Sequence, residues 1–136
     1  MSDAATYDEQ VRAIQAYNQP ILDAFRAWLE QAGLAAKTVK NHVDNIEFFT
    51  HYLVYYEPLE KLDEADGSDV WMFLSDWFPR KALWSSVTSV KSYMASFKKF
   101  FQWMGETGRI SPETVADVLA TLKEGRDEFL EAVDEF

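Results

Sequence analysis

Apolar residues recur at helical spacing along the chain, and this periodicity constrains the fold more than any other feature. Between residues 38 and 56 they fall at intervals of four, three, three and four, at Val39, Val43, Ile46, Phe49 and Leu53. Such spacing places one apolar stripe on one side of a helix. No segment shows the strict apolar–polar alternation of a half-buried strand. The sequence therefore predicts an all-α protein.

Proline, glycine and capping residues divide this pattern into separate predicted helices. A weak, polar helix is indicated over residues 8–17, and a firm helix runs from Pro20 to Ala32, where Gly33 ends it. Thr38 is predicted to cap a second helix that reaches about residue 56. A short third helix is predicted between a cap at Asp66 or Ser68 and a stop at Pro79.

Two further helices complete the prediction. The fourth starts near Ser85 or Ser86 and ends near Met104, with Gly105 and Gly108 supplying its exit. The last runs from Pro112 to about Val133 and is strongly acidic. We expect three segments: a polar N-terminal extension or weak helix (1–17), a helical bundle (18–110), and an acidic C-terminal helix (111–136) packed on the bundle or extending from it.

Composition narrows the class of protein. The chain has 136 residues, which fits one domain, and 48% of them are hydrophobic, which is enough to build a core. Residues 1–9 are polar and acidic, unlike a signal peptide, and no apolar run is long enough to cross a bilayer. We therefore expect a cytoplasmic protein that makes no contact with a membrane.

No pattern of catalytic or metal-ligating residues is apparent. The absence of cysteine excludes a disulfide scaffold, a thiolate metal site and a cysteine nucleophile. His42 and His51 are nine residues apart, whereas a helical metal pair needs a spacing of three or four. Four tyrosines are conceivable nucleophiles, but nothing nearby in the sequence would activate them: Tyr52, Tyr55, Tyr56 and Tyr93. We predict no enzymatic activity, no cofactor and no metal.

The charge is distributed unevenly along the chain. The net charge is −10, which by itself argues against binding a polyanion. Residues 71–110, however, carry six basic and two acidic side chains, whereas the segments on either side are both strongly acidic. This segment contains the fourth predicted helix, which we call the basic helix.

The outward face of the basic helix combines lysines with small hydroxyl residues. Thr88, Lys91, Ala95 and Lys98 are three, four and three residues apart and so line up along one side. Lysine with Ser and Thr is the usual chemistry of phosphate contact. The helix is about 28 Å long, enough to lie along or across a major groove. On composition alone, an ordinary solvated helix face is the stronger interpretation.

A second candidate cluster opens the second predicted helix. It consists of Lys37, Thr38, Lys40 and Asn41. Free amides and the dipole of a helix N-terminus attract phosphate. Simple capping explains Thr38 equally well, so the two clusters become meaningful together only if they face the same side of the protein.

These residues resemble the N-terminal core-binding domain of tyrosine recombinases and phage integrases. The resemblance spans roughly residues 20–112 and rests on the order and spacing of several short motifs. The motifs are Phe25-x-x-Trp28-Leu29, Gly33-Leu34, Thr38-Val39-x-x-His42-x-x-Asn45-Ile46-x-x-Phe49-x-x-Tyr52-Leu53, Pro58-Leu59-x-x-Leu62, Phe97-Lys98-Lys99-Phe100-Phe101-x-Trp103-Met104 and Gly108-x-Ile110.

The resemblance implies a SAM-like orthogonal bundle of four to five helices that contacts duplex DNA through its second and fourth helices. Lys98 stands where the family often has Arg. Carried over residue by residue, the implied DNA-binding residues are Lys37, Thr38, Lys40, Asn41, Ser86, Thr88, Ser89, Lys91, Ser92 and Lys98.

The chain departs from the family in two respects. The catalytic domain of the family, with its Arg, Lys, His and Tyr constellation, is replaced by an acidic helix, so we expect neither cleavage nor joining of DNA. The usual Asn-Pro after the last turn is replaced by Ser111-Pro112.

The resemblance implies a non-catalytic DNA-binding module, which could act with a protein partner such as a recombinase subunit. The alternative is a protein-interaction module that kept the bundle and lost DNA binding, with the acidic helix covering the basic face.

Overall fold

The computed structural model describes residues 6–134. Within this range the chain forms helices only, which confirms the predicted all-α bundle. The six α-helices are α1 (Tyr7–Gln31), α2 (Ala36–Leu53), α3 (Gly67–Met72), α4 (Phe78–Lys81), α5 (Val87–Glu106) and α6 (Pro112–Asp134). A 3₁₀ turn (Leu62–Glu64) precedes α3, and a π turn (Phe73–Trp77) joins α3 to α4.

Helix α1 is one continuous helix of 25 residues, so the predicted break before Pro20 is wrong. Ile14, Asn18 and Ile21 are buried on both sides of the proline, and their packing holds the two halves in line. Proline removes one hydrogen bond to the carbonyl four residues earlier, that of Ala16. Ala16 and Pro20 are both exposed, so water can satisfy that carbonyl.

Helix α2 begins two residues before the predicted cap, at Ala36, and it ends at Leu53 rather than near residue 56. Its N-cap residue is Ala35, which offers no side-chain acceptor. Thr38 is therefore inside the first turn and is exposed. Gly33, at a φ of 83°, turns the chain sharply enough for the new helix to start early.

Pro79 does not end the third helical segment, contrary to prediction. Asp66 caps α3 as expected, accepting a bond from the Asp69 amide at 3.2 Å. In the π turn the Phe78 amide bonds to the Phe73 carbonyl, and α4 then continues to Lys81. The wider π turn restarts the helix, so that Pro79 falls in a first turn, where its missing N–H is tolerated.

Helices α5 and α6 start as the sequence predicts. Ser86 caps α5 and accepts from the Ser89 amide at 3.1 Å, while the Ser89 hydroxyl accepts from the Ser86 amide at 2.8 Å. Ser111 accepts from the Thr114 amide at 3.2 Å at the start of α6.

The core is built largely from phenylalanine. Eight of these side chains are almost completely buried: Phe25, Phe49, Phe73, Phe78, Phe97, Phe100, Phe101 and Phe129. Many of the rings meet edge to face, as do Phe49 and Phe97 with centroids 4.8 Å apart. Within residues 6–134, no helix has both the length and the apolar character needed to cross a membrane.

Helix α6 packs against α5 and α3 and contributes to the same core. Val118, Leu122 and Phe129 are buried along it. At Gly125 the helix approaches Trp71 so closely that an added Cβ would lie 2.7 Å from Trp71 Cζ3 and 2.4 Å from Phe129 Cζ. The acidic helix is therefore an integral part of the bundle.

This close approach makes Gly125→Ala a test of how α6 is docked. At an exposed helix position, replacing glycine by alanine stabilises a protein by about 1 kcal/mol. Here the new methyl group would overlap two rings, and we expect a loss of about 1–3 kcal/mol in the free energy of unfolding, measured with urea. The exposed Ala120, changed to Gly, is the control in the same helix and should cost about 1 kcal/mol. A stabilised Gly125→Ala protein would contradict this packing.

A pair of carboxyl groups makes stability depend on pH. Glu60 in the loop before the 3₁₀ turn lies next to Asp69 of α3, and burial together with the Asp69 hydrogen bond raises the pKa of Glu60 to about 8. Burial is also the main cause that raises the pKa of Asp69. A carboxyl whose pKa is raised on folding stabilises the fold fully below its unfolded pKa of 4.5, and this contribution disappears as pH rises through 8.

We therefore expect the melting temperature to fall between about pH 5 and pH 9 and to fall less in Glu60→Gln, which cannot ionise. The variant should be the more stable protein at the alkaline end, as followed by circular dichroism. Glu30→Gln, at an exposed position of α1, is the matched control and should follow the parent chain. Identical pH profiles for Glu60→Gln and the parent would contradict the raised pKa of Glu60.

Candidate nucleic-acid interface

Helix α5 lies between α2 and α6, which do not pack against each other to a comparable extent. Its apolar stripe, including Val90, Phe97 and Phe101, is buried in the core. This packing turns the opposite stripe outward, with Ala95 exposed at its centre. The basic helix predicted from the sequence is thus α5, and its outward stripe adjoins a different helix on each side.

A polar seam joins α5 to α2. The Asn45 side-chain amide donates to the hydroxyls of Ser92 and Ser96, both at 3.0 Å. His42 Nδ1 lies 2.7 Å from the Ser96 hydroxyl. Ser96 is completely buried, yet it is satisfied by these contacts. The seam therefore fixes α2 beside α5 through hydrogen bonds and leaves polar side chains at the surface between them.

Lys99 extends the positive charge of α5 towards α2. The pKa of His42 is lowered, first by burial and then by the positive charge of Lys99. An imidazole with a lowered pKa is neutral at pH 7 and is free to hydrogen-bond without adding charge. Lys99 is thus close to the seam, and the cationic surface reaches the edge of α2.

On its other side, α5 forms a groove with α6. Four cations line it: Lys91 and Lys98 from α5, and Lys123 and Arg126 from α6. Gln102 adds an amide, and the remaining lining is apolar, with Met94, Ala95, Leu119 and Leu122. The volume of this basic groove is about 570 Å³, and no carboxylate belongs to its lining.

The cations of the basic groove are not neutralised by ion pairs. The described residues contain two salt bridges, Lys40–Asp44 and Arg80–Asp76, and neither involves the groove. The α6 carboxylates do not pair with the α5 lysines in residues 6–134. The acidic helix therefore presents its two cations, rather than its carboxylates, to the basic face.

The predicted cluster in α2 lies at the exposed start of that helix. Lys37, Thr38 and Asn41 are exposed, and Lys37 forms no ion pair within the described range. Lys40 forms a salt bridge with Asp44 one turn later. Thr38 and Asn41 precede Asn45 by seven and four residues, so they continue the side of α2 that carries the seam. Because Ala35 provides no cap, the first-turn amides of α2 have no side-chain acceptor.

The hydroxyl residues at the start of α5 play two different parts. Ser86 and Ser89 cap each other reciprocally, so their hydroxyls are already engaged within the protein. Thr88, which lies between these two serines in the sequence, is exposed, and Ser92 belongs to the seam. Lys91 and Lys98 come together in the basic groove.

Sequence reasoning did not identify the residues that complete these surfaces. The sequence pattern alone assigns Asn45 and His42 no part in this surface, although their spacing from Thr38 and Asn41 places all four on one side of α2. Lys123 and Arg126 lie in a segment whose net charge is negative, so the charge of the segment does not point to them. Their spacing of three residues predicts a shared face, but only the docking of α6 shows that this face adjoins α5.

Other reactive groups do not assemble into a site in the described part of the chain. No cluster of three or more His, Asp and Glu side chains there could hold a metal ion. Burial raises the pKa of Tyr52 and of Tyr93 to about 12, away from that of an activated nucleophile. The most distinctive chemistry on the surface is therefore cationic.

Comparison with known proteins gives the family of the chain. The family model described as "Phage integrase, N-terminal SAM-like domain" matches residues 22–108. A tyrosine recombinase, XerD of Listeria innocua, is 27% identical over 101 residues. That alignment covers 74% of this chain but only 33% of the recombinase. No solved structure matches the chain significantly.

The match extends from within α1 to the end of α5 and so contains both helices that carry the predicted site, but not α6. It covers well over half of the sequence. This chain belongs to the family of phage integrase N-terminal SAM-like domains.

Proposed function

We propose that this protein is a non-catalytic DNA-binding module that contacts the backbone and major groove of duplex DNA through α5 and the start of α2. The observation that carries the proposal is the Asn45–Ser92 seam, which joins the outward face of α5 to α2 one turn after Asn41, the last residue of the predicted α2 cluster. Family membership supports it, since the matching domain is the N-terminal, non-catalytic part of recombinases.

The chemistry of the surface suits a phosphate backbone. Lys91, Lys98 and Lys99 have no carboxylate partner in the described residues, so they can release counterions from DNA on binding. Thr88 and Asn41 are exposed and can donate to phosphate or reach base edges. Lys37 stands next to the uncapped amides of α2, a combination that favours a phosphate group.

The competing hypothesis, a bundle that lost DNA binding, receives no support from the acidic helix. That hypothesis needs the carboxylates of α6 to cover the basic face. In the structure α6 instead places Lys123 and Arg126 beside Lys91 and Lys98. Removal of α6 would also expose Val118 and Phe129, so charge variants in the full chain are the appropriate test.

The proposal predicts that charge reversal at Lys91→Glu plus Lys98→Glu abolishes binding to a labelled duplex of about 25 base pairs, measured by fluorescence anisotropy. With about five phosphates neutralised, the parent chain should lose affinity by about 10²–10³ between 50 and 200 mM salt. Arg12→Glu plus Arg26→Glu in α1 changes the net charge equally and should retain binding. If the parent chain does not bind at low salt, the proposal is wrong.

The same proposal includes a protein partner, such as a recombinase subunit, and a cytoplasmic location where both would meet DNA. Leu83 is fully exposed and Trp84 is 56% exposed, next to Arg80 and Lys81. Trp and Arg side chains dominate protein interfaces. A photo-crosslinking amino acid at position 83 should capture a recombinase in cells. Absence of every recombinase from the crosslinked proteins would contradict this part of the proposal.

A further inference from the structure

We infer that α6 is a third DNA-contacting helix, in which Lys123 and Arg126 bind the phosphate backbone of one strand together with Lys91 and Lys98. This inference rests on the proposed function and deepens it. It concerns a helix that lies outside the segment matched by the family model, residues 22–108.

Charge is distributed unevenly around α6. The helix is net acidic, but both of its cations line the groove against α5, and none of its carboxylates up to Glu131, the last whose side chain is described, does. Asp117 is used elsewhere, since it accepts from the Gly67 amide at 2.8 Å and fastens α6 to α3. The side of α6 that faces the groove is therefore cationic, and Asp127, one turn after Lys123, borders this side without lining the groove.

The groove has two fixed walls. Met94 of α5 and Leu122 of α6 are buried beneath the cations. At Gly105 the two helices are so close that an added Cβ would lie 2.4 Å from Val115 Cγ2. The four cations are thus carried on packed helices whose backbones do not have to move to meet a ligand.

The cations of the groove form a strip that is long compared with a single phosphate ion. Lys91 and Lys98 are seven residues apart, which corresponds to about 10 Å along α5. A single phosphate ion would meet only part of this strip, whereas a strand of DNA presents one charge per about 3.4 Å of helix axis. The repeating anion of a nucleic-acid backbone therefore fits the groove better than an isolated anion does.

Helix α5 lies between α2 and α6 on this surface. Packed helices are about 8–10 Å apart, so α2 and α6, which both pack on α5, are separated by at most about 16–20 Å. The major groove is about 12 Å wide and is bordered by the two phosphate backbones. With α5 in the groove, the start of α2 faces one backbone and Lys123 with Arg126 faces the other.

The test replaces the two cations of α6 by neutral residues of similar shape, Lys123→Gln plus Arg126→Gln, in the full chain. Both side chains are exposed, so the variant should fold, and circular dichroism verifies this. We expect the slope of log affinity against log salt to fall in magnitude by about 2, equally on two unrelated duplex sequences. Lys123→Arg plus Arg126→Lys keeps both charges and should preserve the slope, and Arg12→Gln plus Arg26→Gln in α1 is the control for net charge.

Phosphate ethylation interference locates the contact. The parent chain should show two clusters of sensitive phosphates, one on each side of a major groove, and the Gln variant should lose one of them only. If the parent binds DNA and the Gln variant keeps the same slope and both clusters, the inference is wrong while the proposed function stands. If the parent chain does not bind DNA, both the inference and the proposed function are wrong. Polyglutamate that competes with DNA at equal charge concentration would assign the groove to an acidic peptide and overturn the inference.

Discussion

The aromatic packing of α5 determines which of its side chains reach solvent. Phe97 meets Phe49 of α2 with ring centroids 4.8 Å apart, and Phe100 meets Phe25 of α1 at 5.0 Å. These rings lock the rotation of α5 about its own axis, because a turn of the helix would bring lysine into the core and leave cavities behind. The position of the cationic stripe is therefore a consequence of the hydrophobic core.

The seam between α2 and α5 shows why the surface is polar between its two helices. A buried hydroxyl such as that of Ser96 destabilises a fold unless it is hydrogen-bonded, and here Asn45 and His42 both approach it. An apolar contact would hold the helices together as well but would end the polar surface at the edge of α5. The hydrogen-bonded seam also sets the register of the two helices, since Asn45 must reach Ser92 as well as Ser96.

Periodicity predicted the helices and the core well, because burial of an apolar stripe dominates the folding of a chain this rich in phenylalanine. The local rules for helix ends were wrong at three positions. At Pro20 the helix continues because the proline is exposed, and at Thr38 the helix begins two residues earlier than the predicted cap. At Pro79 the π turn places the proline in the first turn of a new helix. The α5 part of the candidate site followed from spacing within one helix. The contribution of Lys123 and Arg126 could not be predicted from spacing, because it depends on how α6 packs on α5. The net charge of residues 111–136 is negative and does not reveal that these two cations share one side of the helix.

The excess of negative charge is compatible with the proposed DNA-binding surface because the two act over different distances. At physiological salt, exposed charges are screened beyond about 8 Å, so carboxylates on other faces contribute little at the groove, where four cations lie together. At low salt the screening length grows to about 30 Å, and the net charge of −10 then repels DNA during approach. The acidic residues thus oppose the encounter more than the bound state. In the proposed complex, the uneven charge therefore favours an orientation in which DNA meets the face formed by α2, α5 and α6.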